Sequence, residues 1–345
     1  STQPNTLFPY TTLFRSANAI QGVNSLLCVS NSVLHASGSD RLCYQNSTNA
    51  VFLSDYNNLF VENGAFYGKS PSPVGLIGEG MPQWILYTTQ DVHSLSFDPM
   101  FADPDNDDFH PMSPEGRYVT GTFVQVDAAF SPLIDAGNPG IVVTNETDPN
   151  GGRINIGAFG NTAQASRSRT NAWVLAVYAS AGGRVAGGAP VLLTWLQGNL
   201  DATNRVTLEY SWDNGTTWTN IVSGIPAGDG QYLWDVDEEE SGSPKYPASP
   251  TARWRVFVEA DPSVVDDTDV FFSLKGPFTF YINDLNISND VYTGAAGNDA
   301  NLGILSNAPK LTLTSLIQQW DIEGGDTIVL DTGLYIISNE VVITS

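Results

Sequence analysis

Carboxylates dominate the chemistry available to this sequence: 37 Asp and Glu stand against 14 Lys and Arg and 3 His. They crowd most closely in DPDNDD, where Asp103, Asp105 and Asp107 occupy alternate positions. Alternating carboxylates can wrap a hard cation in oxygens, so this run is a candidate Ca²⁺ site, the alternative being a solvated turn. It is not an EF-hand loop, which needs Gly at its sixth position and Glu at its twelfth; Asp108 and Pro114 stand there. In GNDANLG, a Gly-Asn turn, Asp299 is a second candidate cation ligand. His35, His93 and His110 have no metal spacing and no partner in the sequence. The early bases Arg41, Lys69, Arg117 and Arg153 sit beside no carboxylate cluster in a visible motif. No Gly-x-Ser-x-Gly, His-Glu-x-x-His or phosphate-loop pattern occurs, so no catalytic residue is assigned.

One further constellation is positional. In SWDNGTTW, Ser211, Asp213, Gly215 and Trp218 fit a hairpin turn. Asp213 would accept turn amides, Gly215 would take a positive φ, and Trp218 would pack beneath the loop. The pattern S-x-D-x-G-x-T-W resembles the Asp-box of sialidases and related propellers. There the box is structural and recurs from blade to blade. Here it occurs once, so the resemblance implies a structural hairpin and not a glycosidase.

The net charge of −23 repels nucleic acid and anionic membrane, and neither is expected as a partner. No apolar run approaches the roughly 20 residues of a membrane-spanning helix. An acidic, Lys-poor surface suits an extracellular or saline setting, and the expected location is extracellular or the cell surface. Cys28 and Cys43 read either as two buried thiols or as one disulfide. TLFPYTTLFRS (Thr6–Ser16) breaks the style of the Asn- and Ser-rich text around it. It reads either as one irregular edge strand or, because it resembles the translation of a short-read sequencing adapter, as an artefact; the resemblance implies that residues 1–16 are unstructured and that the natural start, with any export signal, is not in view.

The elements that would position these residues are strands. Gly, Pro and Asn punctuate short β-prone runs throughout, which points to an all-β protein. SNSVL and YNNLF share a shape, and aligning Asn31 with Asn57 sets a repeat of 26 residues, close to one coil of a stacked solenoid. In that setting both Asn would sit at a turn, their amides stacked along the axis. DPMF, DDFHP, SPLIDAG and RINIGAFG then follow in order. This succession resembles the closing rungs of bacterial right-handed parallel β-helix proteins of the pectate-lyase-like kind. The resemblance implies a β-helix end over 17–169, with Ile134, Ile154, Ile156 and Phe159 pointing into its last coils.

Seven strand-like runs between Trp173 and Leu274 fit a sandwich over 170–283, similar to immunoglobulin- or fibronectin-III-like modules. Asp237–Pro250 reads as a mobile acidic loop. In 284–345, Leu313, Leu316, Ile317 and Trp320 recur at helical spacing before further strands. This order resembles the capping helix and first rungs of a second, truncated β-helix. Together these readings imply a non-enzymatic architectural or adhesive module of a large secreted or cell-surface repeat protein, contacting polysaccharide or cell-surface glycan and its own neighbouring modules. The alternative is a fragment of a polysaccharide lyase or glycoside hydrolase whose catalytic rungs lie elsewhere.

Overall fold

The computed structural model describes residues 6–8, 13–15, 18–22, 26–38, 41–46, 51–70, 75–77, 80–177, 184–185, 187–188, 190–320, 322 and 324–335. It is all-β, with two short α-helices among the described residues.

The N-terminal part is wound. Strands β1 (Thr6–Phe8), β2 (Leu13–Arg15) and β3 (Asn18–Gly22) are followed by β4 (Leu26–Ser30), β5 (Val33–Ser37) and β6 (Leu42–Asn46), then by β7 (Val51–Asp55), β8 (Asn58–Glu62) and β9 (Phe66–Ser70). Each strand pairs in parallel with its counterpart one turn later, giving the ladders β1-β4-β7, β2-β5-β8 and β3-β6-β9. The expectation of an unstructured start is corrected here: β1 and β2 lie in the wall, although this pairing concerns shape and not the segment's origin. Alternate residues face opposite sides of a strand. Leu34 and Ala36 of β5 thus join Leu27, Val29, Leu59 and Tyr67 in the interior, while Val33 and His35 face outward.

The repeat is one residue shorter than the aligned Asn pair implied. Leu34 lies beside Leu59, and the Ser32 amide donates to Asn57 Oδ1, 25 positions away. The left-handed corner of Asn31 (φ 53°) is therefore matched by Tyr56 (φ 57°), not by Asn57. The Asn57 amide does bond along the axis, to Ser32 N–H and Val29 C=O, so backbone rather than a second amide is its partner.

Strand β10 (Gly75–Ile77) runs antiparallel to β9, and helix α1 (Met81–Thr88) follows. Trp84 of α1 stacks on Tyr44 at 5.5 Å. A Cβ at Gly68 would stand 2.5 Å from the Trp84 ring, so this contact requires glycine. The sequence reading did not include α1.

Two hairpins come next: β11 (Phe101–Asp103) with β12 (Asp108–Pro111), and β13 (Arg117–Val119) with β14 (Thr122–Val124). Ile134, Ile154 and Ile156 are buried, but Ile156 lies in a second core outside the wall, with Val33, Leu95, Phe97, Leu133 and Ala136. Phe159 enters neither core and stacks on His110 at 3.6 Å. Leu133 and Ile156 therefore pack against the outer face of β5, while the segment at Leu95 still stacks in parallel on Asn58 of β8.

Leu175, Val177 and Leu196 complete that second core. They belong to the next unit, in which β15 (Trp173–Ala176), β17 (Val191–Gly198) and β20 (Gln231–Trp234) form one sheet. The other sheet contains β16 (Arg184–Val185), β18 (Arg205–Ser211), β19 (Thr219–Pro226), β23 (Ser249–Val258), β24 (Asp261–Asp267) and β25 (Phe272–Leu274). Trp195, Trp234, Tyr210, Trp254 and Val256 fill the core they share. Asp237–Pro250 is built in: β21 (Glu239–Glu240) pairs with β22 (Ser243–Pro244), and Tyr246 is fully buried against Tyr210 and Trp234.

In the last unit β26 (Thr279–Ile282) pairs in parallel with β27 (Thr327–Leu330), so this unit begins by Thr279 and not at 284. Helix α2 (Leu313–Gln319) starts where the Thr312 side chain accepts the Ser315 amide, and it buries Leu316 against Phe280, Ile282 and Trp320. Arg184 of the two-sheet unit reaches Asp326 at 2.6 Å, an ion pair almost wholly removed from water.

Candidate functional site

The residues expected to gather a cation do not gather. The Asp103 carboxylate accepts from the Asn106 amide, and Asp107 takes the left-handed conformation (φ 63°) that ends the turn. No three His, Cys, Asp or Glu converge as a metal would require among the described residues. Asp299 is also engaged, accepting the Leu311 and Thr312 amides ahead of α2.

Ser211, Asp213, Gly215 and Trp218 do come together, between β18 and β19. Asp213 Oδ1 accepts the Thr217 amide at 2.7 Å, Oδ2 accepts the Thr217 hydroxyl, and the Ser211 hydroxyl donates to Oδ1. Gly215 has φ 87°, and the Arg255 guanidinium lies 4.3 Å over the Trp218 ring. Desolvation pushes the Asp213 carboxyl up, but the Thr217 and Ser211 donors outweigh it and hold it below its ordinary value. This is a satisfied turn with no group left over for chemistry.

Each imidazole has a carboxylate partner that the sequence reading did not foresee. His35 meets Glu62 at 2.9 Å, His93 meets Asp55 at 2.7 Å, and His110 meets Asp108 at 2.6 Å. The Glu62 and Asp55 partners lie one turn along or at a corner, separations that only the winding closes. Arg117, read as isolated, is held between Asp108 and Asp127. With its N–H groups committed to two carboxylates, this guanidinium is poorly placed to act as a base. Cys28 and Cys43 are free; the buried Cys43 thiol donates to Leu34 C=O, and desolvation raises its pKa.

Buried carboxyls concentrate beside the second core. Desolvation raises Asp135 to about 6 despite the Ser168 hydroxyl bond, and raises Glu146 to about 7 despite the Asn161 and Asn155 amides. Inside the coil Asp91 is raised by burial, although Ser94, Trp84, Ser54 and Asn57 all donate to it. Each of these carboxyls is committed to holding backbone or side-chain donors.

Among the described residues a cavity of about 330 Å³ opens between the outer face of β5-β8 and segment 98–112. His35 and Phe60 form one wall, with ring centroids 5.1 Å apart. Phe101 and Phe109 face them, and their planes meet at 82°. Asp98 and Met100 line the space between. In the sequence DPMF and DDFHP were legible only as a fold signature. The signal for a site was the presence of Phe and Met within an otherwise acidic run. Compared with known proteins, the chain matches no family model, no curated protein and no solved structure. Among the described residues no helix is long and apolar enough to cross a membrane.

Proposed function

We propose that the chain is a non-enzymatic architectural or adhesive module of a large secreted or cell-surface repeat protein. On this reading residues 17–169 are the end of a right-handed parallel β-helix, the two-sheet unit is an immunoglobulin- or fibronectin-III-like sandwich, and the last unit opens a second β-helix. Its outward coil faces would contact polysaccharide.

The observation that carries the reading is the junction. β15 divides its residues between two cores: Val174 and Ala176 enter the sandwich, while Leu175 and its neighbour Val177 join Val33 of the coil and Leu133 and Ile156 packed on its outer face. Units joined by a shared core act as one stiff body, which suits a projecting rod better than a set of tethered domains. The cavity lining also contains no Lys or Arg that could abstract a proton in a lyase.

Small-angle scattering joined to an activity screen tests this. An elongated rigid profile is expected, loosened by Leu175→Asp, together with co-sedimentation on an insoluble polysaccharide and no release of reducing ends or unsaturated uronate. A flexible profile would overturn the rod; sugar release would favour the enzyme alternative.

A further inference from the structure

The cavity beside β5 and β8 is preformed. Met100 holds the left-handed conformation (φ 48°), which a long apolar side chain adopts only when its surroundings impose it. Three hydrogen bonds fix the segment: Met100 N–H to Asp98 Oδ1 (2.9 Å), Met112 N–H to Met100 C=O (2.9 Å) and Ser131 Oγ to Pro99 C=O (2.6 Å). Asp98 Oδ2 makes no hydrogen bond among the described residues.

Three chemistries could occupy such a space. A sugar needs many hydrogen-bonding partners, and the lining offers two polar side chains, one of them already engaged with Glu62. A metal ion needs several oxygens, and the lining offers a single carboxylate. A purely apolar guest would make no use of the solvent-exposed Asp98 carboxylate. A cation with alkyl substituents uses everything present. Its diffuse charge is weakly hydrated, ring faces attract it, and a carboxylate balances it. The net charge of −23 adds a long-range attraction for cations.

We therefore infer that this cavity binds an organic ammonium of trimethylammonium size, with Phe101 and Phe109 as an aromatic corner and Asp98 as counter-ion. The inference does not depend on the architectural reading above and can fail without it.

Methyl-labelled methionine provides the test on the intact chain. The sequence holds three Met: Met100 and Met112 line the cavity, and Met81 is buried in the coil. Choline or tetramethylammonium titrated to roughly 50 mM, which fills a site with ~1 mM Kd, should shift the Met100 and Met112 methyl signals and leave Met81 unmoved. The uncharged isostere 3,3-dimethylbutan-1-ol should bind about tenfold more weakly. Asp98→Asn keeps an acceptor for the Met100 amide and should weaken choline about tenfold without altering isostere binding. Phe101→Ala should weaken both ligands, its folding checked by an unchanged Met81 signal. Equal binding of choline and isostere, indifference to Asp98→Asn, a response to glucose in place of choline, or no shift at all would each overturn the proposal.

Discussion

The wound region and the two-sheet unit are both all-β, yet they hold their interiors differently. In the coil a buried carboxylate, Asp91, collects hydroxyl, amide and indole donors from three parts of the chain: Ser54 and Asn57, Trp84, and Ser94. In the two-sheet unit the largest fully buried side chains are rings, Trp234, Trp254, Tyr210 and Tyr246, set among aliphatic residues such as Val206, Leu208 and Val256. The difference follows from geometry. A turn that slips by two residues against its neighbour keeps its apolar side chains inward, and directional bonds between turns remove that freedom. Two facing sheets are already held in register by hairpins, so bulk and shape suffice.

The sharpest way to break this contrast is to remove a ring from one unit and the carboxylate from the other. Trp254→Ala should cost about 3–5 kcal/mol and lower the melting transition of the two-sheet unit by calorimetry. Asp91→Ala strands four donors in a dry interior, should cost on the order of 3 kcal/mol, and should act on the coil. If both substitutions move one common transition by similar amounts, the shared junction core couples the units and the contrast concerns construction only.

A pH series sharpens it further. Burial raises Asp135 to about 6, Glu146 to about 7 and Asp266 to about 6. The folded state then holds more protons than the unfolded state between about pH 4 and 7, so stability falls as pH rises through that window. Each group contributes of order 1–2 kcal/mol, and the melting temperature should be a few degrees higher at pH 5 than at pH 7.5. Asp213, Asp237 and Asp261 are held low by hydrogen bonds and have the opposite sign, their contribution being lost only as pH drops below about 4. A melting temperature that climbs from pH 5 to 7.5 would contradict this. The smallest effect is expected at the β18–β19 turn. Gly215→Ala puts a Cβ at φ 87° and should cost about 1 kcal/mol, with the coil transition unmoved.

The all-β class was readable from the turn residues, and the seven strand-like runs between Trp173 and Leu274 each contain or overlap a strand. The missed strand β24 shows the limit: DPSVVDD is acidic and contains Pro, and it pairs with β23 as a partly exposed strand at the sheet's margin. Helix α1 was missed because eight residues beginning Met-Pro give little periodicity, although Met81, Trp84, Ile85 and Thr88 keep the spacing. The one-residue error in the repeat came from aligning identical Asn letters, when the shared property is a left-handed corner that Asn31 and Tyr56 both adopt. The cavity was not legible because winding, not sequence proximity, brings His35 and Phe60 opposite Phe109. The aromatic corner gave only a compositional hint.

Asn58 completes the picture of how the wall is finished. Its side-chain amide donates to Phe97 C=O at 2.9 Å and accepts Phe97 N–H at 3.0 Å, the same two bonds a peptide group would make. The Leu95 backbone already takes the outward bonds of β8 at Asn57 and Leu59, and the Asn58 side chain stands in for the next backbone pair. The segment leaving the wall thus stays tied to it for one step beyond the last parallel bridge.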